Sequence, residues 1–388
     1  MSRIDELIQE LCPDGVTFVT IGEAATVTAG ATPSKSVASY WTNGTIPWLS
    51  SGEVNKGTIH EADTFITKEG YDSCSTRMVP ARAVVIALAG QGKTRGMVAR
   101  TRLECCTNQS LASIVPDSDE LDSDFLFYYL KTQYSRLRDV SSGDGTRGGL
   151  NLAMIRAYRI PVPPLEVQCE IVRVLDKFTQ LEAELEAELE ARRTQYEHYR
   201  TEFLTFGDDV PRRPLREVAT IGTGSHDTKD ATPDGEFIFY ARGREPLRLD
   251  SYDFDEQAII TAGDGVGVGK VFHFADGKYA LHQRAYRVVP GKQIDSRFIY
   301  HYLVSDFSRY LERTSVHASV TSLRRPMFLK YPVPVPPRAE QERIVATLDK
   351  LDALVNDISI GLPGELVARR KQYEHYRDRL LTFKELPA

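Results

Sequence analysis

One glycine-rich segment has the residue types of a nucleotide-binding loop. Residues 87–94 read ALAGQGKT and follow a short apolar run, close to a phosphate-binding loop whose first glycine is replaced by alanine. Such a loop needs a helix directly after its Lys–Thr pair, so that the helix N-terminus faces the phosphates. Here RGMVA follows, and the corresponding residues of the second half lack the pattern. The segment therefore predicts a hairpin loop that carries Gln91, Lys93 and Arg95 outward.

Basic, polar and aromatic residues recur in turn-rich and glycine-rich loops along the whole chain. Glycine lets a backbone approach a ligand closely. Any one of these residues could simply be a polar residue of a solvent-exposed loop. Their recurrence at similar places in both halves, with different identities, instead indicates two domains of the same fold that recognise different ligands. The candidate contact residues of the first half are Thr32, Lys35, Trp48, Gln91, Lys93, Arg95, Ser142 and Arg147. Those of the second half are His226, Lys229, Arg242, Arg244, Lys270, His317, Arg324 and Arg325.

The cysteines and prolines do not indicate chemistry on this chain. The five cysteines contain no CxxC pair, and no His pair lies near them at metal-ligand spacing, so we expect neither a zinc site nor a disulfide framework. The two Pro-Pro dipeptides, at 163–164 and 336–337, are also found in the catalytic loop of amino-methyltransferases. In that loop Asn or Asp precedes the prolines, whereas here a valine does. Methyltransferase catalysis within the chain is therefore not expected.

An internal repeat decides the organisation of the chain. Residues 191–206 (ARRTQYEHYRTEFLTF) and 368–383 (ARRKQYEHYRDRLLTF) are identical at 12 of 16 positions. Upstream, residues 158–177 and 331–350 are identical at 11 of 20 positions. The first pair of segments is separated by 177 positions and the second pair by 173, which places an insertion of four residues around 361–364. The chain is thus a tandem duplication, in which each half is a variable globular segment followed by a similar tail.

The two globular segments predict similar local structure. Short apolar runs on either side of a glycine-rich stretch predict strand, loop and strand over 83–99 and again over 258–274. Residues 122–139 and 295–313 predict amphipathic helices, each with an aspartate cap. Each half therefore predicts a mixed α+β domain.

Each tail predicts a long helix. It begins with two prolines, which suit a helix start, and continues with apolar residues every three or four positions. About forty residues at 1.5 Å each give a helix of about 60 Å, and the other tail supplies the partner that such a narrow apolar stripe needs. We expect the second helix to break or kink at residues 361–364. The predicted pairing residues are Ile171, Phe178, Leu185, Tyr196, Tyr199, Phe203, Ile344, Leu348, Tyr373 and Tyr376.

Composition and charge bound the class of protein. The 388 residues are 41% hydrophobic and 26% charged, which excludes a largely disordered or fibrous chain. No apolar run reaches the length of a membrane span, and the N-terminus is not a signal peptide, so we expect a cytoplasmic protein. The net charge is −6, but residues 161–207 alone hold 10 acidic and 5 basic residues, a net of −5. The predicted first helix thus carries most of the acidity.

Five segments have sequences typical of one family: ELCPDGV (10–16), YWTNGTIPWLSSGEV (40–54), the two PxPPxxxQxxIVxxLD stretches (161–176 and 334–349) and residues 361–383. In these segments the chain resembles the specificity subunits of type I restriction-modification systems. The resemblance spans essentially the whole chain. It departs at Val167, where the family usually has Glu before Gln168, and in the second half, which has FIFYAR (237–242) in place of the IPW segment.

The resemblance implies a fold and a division of labour. The fold would be α+β, with two similar target-recognition domains joined and separated by two long antiparallel helices in a pseudo-twofold repeat. The domains would be residues 1–160 (with a short N-terminal helix, 1–12) and 211–330, and the helical regions 161–210 and 331–388. Each domain would read one half of an asymmetric bipartite DNA target through the candidate contact residues, and the helices would set the spacer.

The same resemblance implies the partners. The helix faces would dock two copies of a modification methyltransferase subunit, and a restriction-translocase subunit would join outside. S-adenosylmethionine, ATP and magnesium would bind those partners, in the cytoplasm of a bacterium or archaeon. Two alternatives stay open from the residues alone: an NTP-binding enzyme that uses residues 87–94, and a coiled-coil scaffold with tandem ligand-binding domains that bind no DNA.

Overall fold

The chain folds into two units with similar architecture. The structure, a computed structural model, describes residues 3–89, 93–140, 149–314, 325–357 and 359–387. Unit 1 comprises Met1–Ala183 and Ala368–Ala388, and unit 2 comprises Glu184–Val367. The division into segments 1–160, 161–210, 211–330 and 331–388 stays a prediction.

Unit 1 holds three small sheets. Their strand orders are β2-β9-β6-β7-β4, β5-β3-β8 and β1-β10. The strands are β1 (Thr17–Thr20), β2 (Ala25–Ala29), β3 (Ile46–Leu49), β4 (Thr58–Ile59), β5 (Phe65–Ile66), β6 (Val84–Ala87), β7 (Val98–Thr101), β8 (Cys106–Thr107), β9 (Leu111–Pro116) and β10 (Arg159–Val162). The helices that begin in this unit are α1 (Arg3–Leu11), α2 (Ile21–Ala24), α3 (Lys68–Asp72), α4 (Ser123–Thr132), α5 (Tyr134–Val140), α6 (Leu152–Ala157) and α7 (Leu165–Phe203).

Unit 2 holds one six-stranded sheet, β12-β17-β15-β16-β13-β14, and the pair β11-β18. The strands are β11 (Arg212–Pro214), β12 (Ala219–Thr223), β13 (Phe237–Tyr240), β14 (Leu247–Leu249), β15 (Phe254–Ala262), β16 (Phe272–Leu281), β17 (Ala285–Pro290) and β18 (Pro332–Pro334). The helices that begin here are α8 (Leu215–Val218), α9 (Ser296–Thr314), α10 (Arg325–Leu329), α11 (Arg338–Asn356) and α12 (Leu362–Leu380).

The strand pairing repeats between the units. In unit 1, β3 runs parallel to β8, with Trp48 opposite Cys106. In unit 2, β13 runs parallel to β16, with Phe239 opposite Ala280. The hairpin β6–β7 corresponds to β15–β16, and both are antiparallel. The single long strand β16 therefore takes the places of both β7 and β8, which is why one sheet replaces two. The strand–loop–strand prediction for both halves is confirmed.

The end of each helical tail packs in the unit of the other half. Phe383, at the end of the second tail, contacts Phe125 of unit 1 with ring centroids 6.1 Å apart. Phe206, at the end of the first tail, contacts Phe298 of unit 2 at 6.0 Å. These are equivalent residues of the repeat, so the two tails are exchanged between two equivalent cores.

The tails are antiparallel within each unit. In unit 1, Phe178 stacks on Tyr376 at 5.5 Å, and Glu182, one turn further along α7, pairs with Arg370. In unit 2, Arg343 lies over the Phe203 ring at 5.4 Å. Tyr196, two turns earlier on α7, hydrogen-bonds Asp352, which lies further along α11 than Arg343, so the numbering of the two helices again runs in opposite directions. The long first helix and the α+β fold class are confirmed.

Two helix predictions need correction. The helix predicted over 122–139 is interrupted at Gln133, because the Thr132 hydroxyl bonds the Tyr129 carbonyl and the Gln133 N–H turns to Leu130 instead. The predicted break in the second tail is confirmed, but it lies before residue 362 rather than across 361–364. A side chain at Gly361 would clash with backbone carbonyls, whereas Pro363 stands in the first turn of α12, where a missing N–H costs little. The predicted aspartate caps are confirmed at Asp122 and Asp295, which accept backbone N–H bonds at the starts of α4 and α9.

Candidate nucleic-acid interface

A polar cleft of about 620 Å³ in unit 1 contains three of the predicted contact residues. Thr32 and Lys35 come from the loop after β2, and Trp48 comes from β3. Trp48 is 5% exposed, and its Nε1–H donates to the carbonyl of Ala31 at 3.0 Å. The Trp41 ring meets it edge-on with centroids 5.2 Å apart. Trp48 therefore forms the floor that supports the loop, while the loop presents the polar groups.

The cleft presents hydrogen-bond donors and acceptors to solvent. The Thr32 hydroxyl donates to Oε1 of Gln109 at 2.5 Å, which holds an exposed amide at the edge of the cleft. Asn108 adds a second amide. The Lys35 ammonium is exposed and has no carboxylate within salt-bridge distance among the described residues. Amides and ammonium groups are the donors that recognise the O6, N7 and O4 acceptors of the major groove.

Unit 2 presents different side chains at the equivalent positions. His226 and Lys229 follow β12 as Thr32 and Lys35 follow β2, and Gln283 follows β16 as Gln109 follows β8. His226 bonds Oδ1 of Asp253 at 3.1 Å, and its ring meets Phe239, the equivalent of Trp48, at 5.8 Å. The two loops are thus held in the same place by different contacts.

In both units a glycine packs directly against a strand carbonyl and so fixes the position of the loop that follows it. Gly30 and Gly224 precede the two loops, and a Cβ at either would clash with a carbonyl oxygen, that of Thr107 or of Leu281. These carbonyls belong to equivalent positions of β8 and β16. Only glycine fits at either point, because any side chain would push the loop off the strand.

Charged groups extend the unit 2 surface. Asp264 accepts from Arg242 at 2.8 Å and from Arg284 at 3.2 Å. Burial would raise the pKa of the Asp264 carboxyl, but the two guanidinium groups outweigh it and hold that pKa below its ordinary value. Burial, reinforced by Arg242, lowers the pKa of His282. Its neutral ring accepts the Arg284 N–H at Nδ1, 2.9 Å away. Through its bond to Asp264, Arg242 is a positive charge held in a fixed position on this surface.

The remaining contact candidates are not gathered in these places. Lys93 is exposed and Arg95 half-buried on the β6–β7 loop, and neither lines the cleft. Arg244 and Lys270 are exposed on loops of unit 2. Arg325 donates to the carbonyl of Ile221 at 3.2 Å. The candidates that lie outside the described residues are Gln91, Ser142, Arg147, His317 and Arg324.

The phosphate-loop alternative lacks its structural context. After Thr94 the chain turns at Gly96, with φ +82°, and enters β7 without opening a helix. The Tyr134 hydroxyl donates to the Lys93 carbonyl at 2.6 Å, which ties the loop to α5. In the described ranges, no three His, Cys, Asp or Glu side chains gather where they could hold a metal ion.

The ten predicted pairing residues lie in the two cores. Ile171, Tyr196, Ile344 and Leu348 are buried, and the other six are half-buried. In unit 1, Phe178 contacts Tyr373 and Tyr376. Ile171 also packs in the unit 1 core. The remaining residues of the set pack in the unit 2 core: Leu185, Tyr196, Tyr199, Phe203, Ile344 and Leu348. The chain's own packing covers these helix faces.

Sequence reasoning passed over several residues of the interface. Asn108, Gln109 and Ser50 line the unit 1 cleft, and Gln283 and Arg284 lie beside His226 and Asp264. One signal was available, because Gln109 and Gln283 match each other in the repeat. The others carry no pattern and come together only through strand pairing.

Comparison with known proteins agrees with this architecture. The chain matches the family described as the type I restriction modification DNA specificity domain twice, over residues 13–191 and 208–367. It is 32% identical over 289 residues to the specificity subunit of the type I restriction enzyme EcoR124I/EcoR124II of Escherichia coli, covering 67% of this chain and 70% of that protein. The chain belongs to the type I restriction enzyme specificity subunits. The EcoprrI specificity subunit of Escherichia coli is 25% identical over 388 residues, with 92% and 93% coverage.

Solved specificity subunits share the fold. The S subunit from M. genitalium superposes with a TM-score of 0.63 at 16% identity, covering 94% of this chain and 96% of that one. The HsdS subunit from Thermoanaerobacter tengcongensis gives a TM-score of 0.52 at 16% identity, with 96% and 97% coverage. None of the helices in the described part of the chain combines the length and apolar character that a membrane crossing requires.

Proposed function

We propose that this specificity subunit reads an asymmetric, bipartite DNA target, one half with each unit, and that it carries no catalysis of its own. One observation supports this most: the same loop in the two units presents different polar side chains over the same frame. On this loop Thr32 is replaced by His226, and the exposed Ser36 by the exposed Asp230. Two different DNA half-sites can be read by two copies of one fold only if the residues that contact the bases differ between the copies.

The positions that do not diverge have the chemistry of sequence-independent contacts. Lys35 and Lys229 are both exposed, and Gln109 and Gln283 are equivalent amides. An ammonium group is suited to backbone phosphates, which fix register but carry no sequence information. The lysines would therefore position each unit, while the residues that differ discriminate bases.

The helices would set the distance between the half-sites. Helix α7 has 39 residues, about 58 Å at 1.5 Å per residue. Half-sites on one face of DNA recur about every 34 Å. A continuous helix is rigid enough to keep a constant number of unread base pairs between the two halves.

Catalysis and cofactors would reside on partner subunits. The proposed assembly has two modification methyltransferase subunits and a restriction-translocase subunit, in a bacterial or archaeal cytoplasm where the chromosomal DNA lies. S-adenosylmethionine, ATP and magnesium would bind those partners. A chain from a structural study of complex assembly and conformational transition of the type I restriction-modification system superposes on this one with a TM-score of 0.56 at 16% identity, covering 95% of this chain and 98% of that one.

Methylation mapping tests the proposal. The chain would be co-expressed with the methyltransferase subunit of its own system, and methylated sites mapped across the host genome. We expect one split motif. Thr32→His should alter only one half of that motif, and His226→Thr only the other half. Uniform methylation, or a change in both halves from either variant, would refute the assignment.

Lysine variants separate phosphate grip from base reading. Lys35→Ala and Lys229→Ala should each weaken DNA binding by the assembled complex and reduce its salt dependence by about one phosphate contact, a slope change of about 0.9. The motif should not change. The matched control is Lys56→Ala, because Lys56 pairs with Glu53 and Asp63 and does not line the cleft. A changed motif from either cleft lysine would contradict the division of roles. Absence of any salt-dependent DNA binding would favour the scaffold alternative.

A further inference from the structure

Each unit carries a second cavity, built from equivalent residues of the repeat. In unit 1 a cavity of about 420 Å³ lies between α4–α5 and the end of the second tail. In unit 2 a cavity of about 490 Å³ lies between α9 and the end of the first tail. Neither cavity includes a residue of the DNA-reading cleft. The duplication has therefore preserved a site that the base-reading function does not use.

The lining of the two cavities is more alike than the two clefts. Nine positions are equivalent, and five of them hold the same residue: Tyr129 and Tyr302, Arg136 and Arg309, and the Leu-Thr-Phe run that ends each tail (381–383 and 204–206). In the DNA-reading sites the lysines at 35 and 229 and the glutamines at 109 and 283 agree, but Thr32, Trp48 and Asn108 are replaced by His226, Phe239 and His282. Two cavities that stay alike while the neighbouring surfaces diverge indicate one ligand in two copies.

The chemistry of the lining selects the ligand. The unit 1 cavity has an aromatic and aliphatic floor, with Tyr129 buried and Phe383 half-buried. Two arginines and one aspartate line it, and three arginines and one aspartate line the unit 2 cavity. Burial raises the pKa of Tyr129 to about 12, so its phenol stays neutral at physiological pH. Arg377 pairs with Asp378 at 2.7 Å and Arg313 with Asp306 at 3.2 Å, so the arginines outnumber the aspartates by one in unit 1 and by two in unit 2. Apolar walls beneath a rim with this excess of positive charge suit a protein segment that carries an apolar side chain flanked by carboxylates.

We propose that these two cavities each dock the same segment of one modification methyltransferase subunit. The inference rests on the proposed function, which supplies a partner present in two copies. Of the helix residues predicted to pair or dock, Tyr196, Ile344 and Leu348 are buried by the chain itself. The cavities, in contrast, open to solvent beside the exposed guanidinium groups of Arg136 and Arg309.

Stoichiometry tests the proposal with a stepwise readout. Thr132 and Ser305 occupy equivalent lining positions, and a tryptophan at either would fill its cavity. The full-length chain is mixed with the methyltransferase subunit of the same system, and the mass of the complex is measured by light scattering. We expect two copies bound to the unaltered chain, one to Thr132→Trp, one to Ser305→Trp and none to the double variant.

Charge reversal keeps the test independent of side-chain volume. Arg136→Glu and Arg309→Glu should each weaken the binding of one copy at least tenfold. Asp139→Trp and Glu312→Trp are matched controls, because both residues are exposed on the same helices and neither lines a cavity. Folding of every variant is checked by its urea midpoint. Two copies bound at unchanged affinity by the double tryptophan variant and by both charge reversals would overturn the proposal.

The outcomes separate the two proposals. If the unaltered chain assembles with two subunits and the cavity variants lose them, but no split motif is methylated, the docking proposal stands and the proposed function falls. If a split motif is methylated and the folded cavity variants assemble normally, the docking proposal falls alone. If the unaltered chain binds no methyltransferase subunit, both fall.

Discussion

Replacing the buried amide of Gln168 should destabilise unit 1 by an amount that its contacts define. The side chain is fully buried, and Oε1 accepts the Asp122 N–H at 2.8 Å. Nε2 donates to the carbonyls of Glu120 and Pro163, both at 2.7 Å. The amide therefore joins the cap residue of α4 to the turn that starts α7.

The three bonds set the magnitude. Each intramolecular hydrogen bond contributes about 1 kcal/mol, and a buried partner left unsatisfied costs about 1–3 kcal/mol. Methionine has a similar length and makes none of the three bonds. We expect Gln168→Met to lower the free energy of unfolding by about 3–5 kcal/mol. With a urea dependence of roughly 2.5 kcal/mol per molar, this lowers the midpoint by about 1.2–2 M.

Tryptophan fluorescence isolates unit 1. The chain has two tryptophans, Trp41 and Trp48, and both lie in unit 1. The Gln168→Met variant should shift the fluorescence-detected transition by the amount given. Gln341 makes the equivalent three bonds in unit 2, so Gln341→Met should shift the far-ultraviolet circular dichroism transition with a smaller effect on fluorescence.

An exposed glutamine provides the control. Gln372 is exposed on α12, and Gln372→Met should change stability by less than about 0.5 kcal/mol. A fluorescence midpoint that falls by less than about 0.3 M in Gln168→Met would refute the assignment of these three bonds as the source of the stability.

Three further predictions follow from other contacts. Gly30→Ala and Gly224→Ala should each displace one DNA-reading loop, so that methylation mapping shows a weakened or relaxed half-site on that side only; an unchanged motif and rate would contradict the clash. Burial opposes the lowered pKa of Asp349, but bonds from His301 and Arg297 outweigh it. Because the folded-state pKa lies below the unfolded one, the ionised carboxylate stabilises the fold at neutral pH, and this contribution is lost as the pH falls through the folded-state pKa. Asp349→Asn should therefore lower the urea midpoint at pH 7, and its difference from the unaltered chain should shrink as the solution is acidified; equal midpoints at pH 7 would argue against it. Residues 1–207 alone should homodimerise and direct methylation to a symmetric split site, because 191–206 can replace 368–383 in a second copy; sedimentation of a folded monomer would count against the exchange of tails.

The long first helix, the aspartate caps and the duplication could all be predicted from the linear sequence. The spacing of apolar residues predicted α7, and the structure has it at Leu165–Phe203. Aspartates before the two amphipathic segments predicted caps at Asp122 and Asp295. These features are readable because helix periodicity and capping depend on residues within a few positions of each other. The repeat and the family segments are likewise patterns in the linear chain.

Tertiary structure decided which distant residues meet. Thr32 and Gln109 are 77 positions apart and bond because β2 pairs with β9, which places the residues after β2 beside those before β9. The tails are identical at 12 of 16 positions, so their composition did not indicate which unit each end joins. Local pattern also failed at Gln133, where a threonine hydroxyl competes for a helical carbonyl. Long-range pairing, close packing at glycines and competing side-chain bonds are properties of the folded chain, because each depends on groups that only folding brings together.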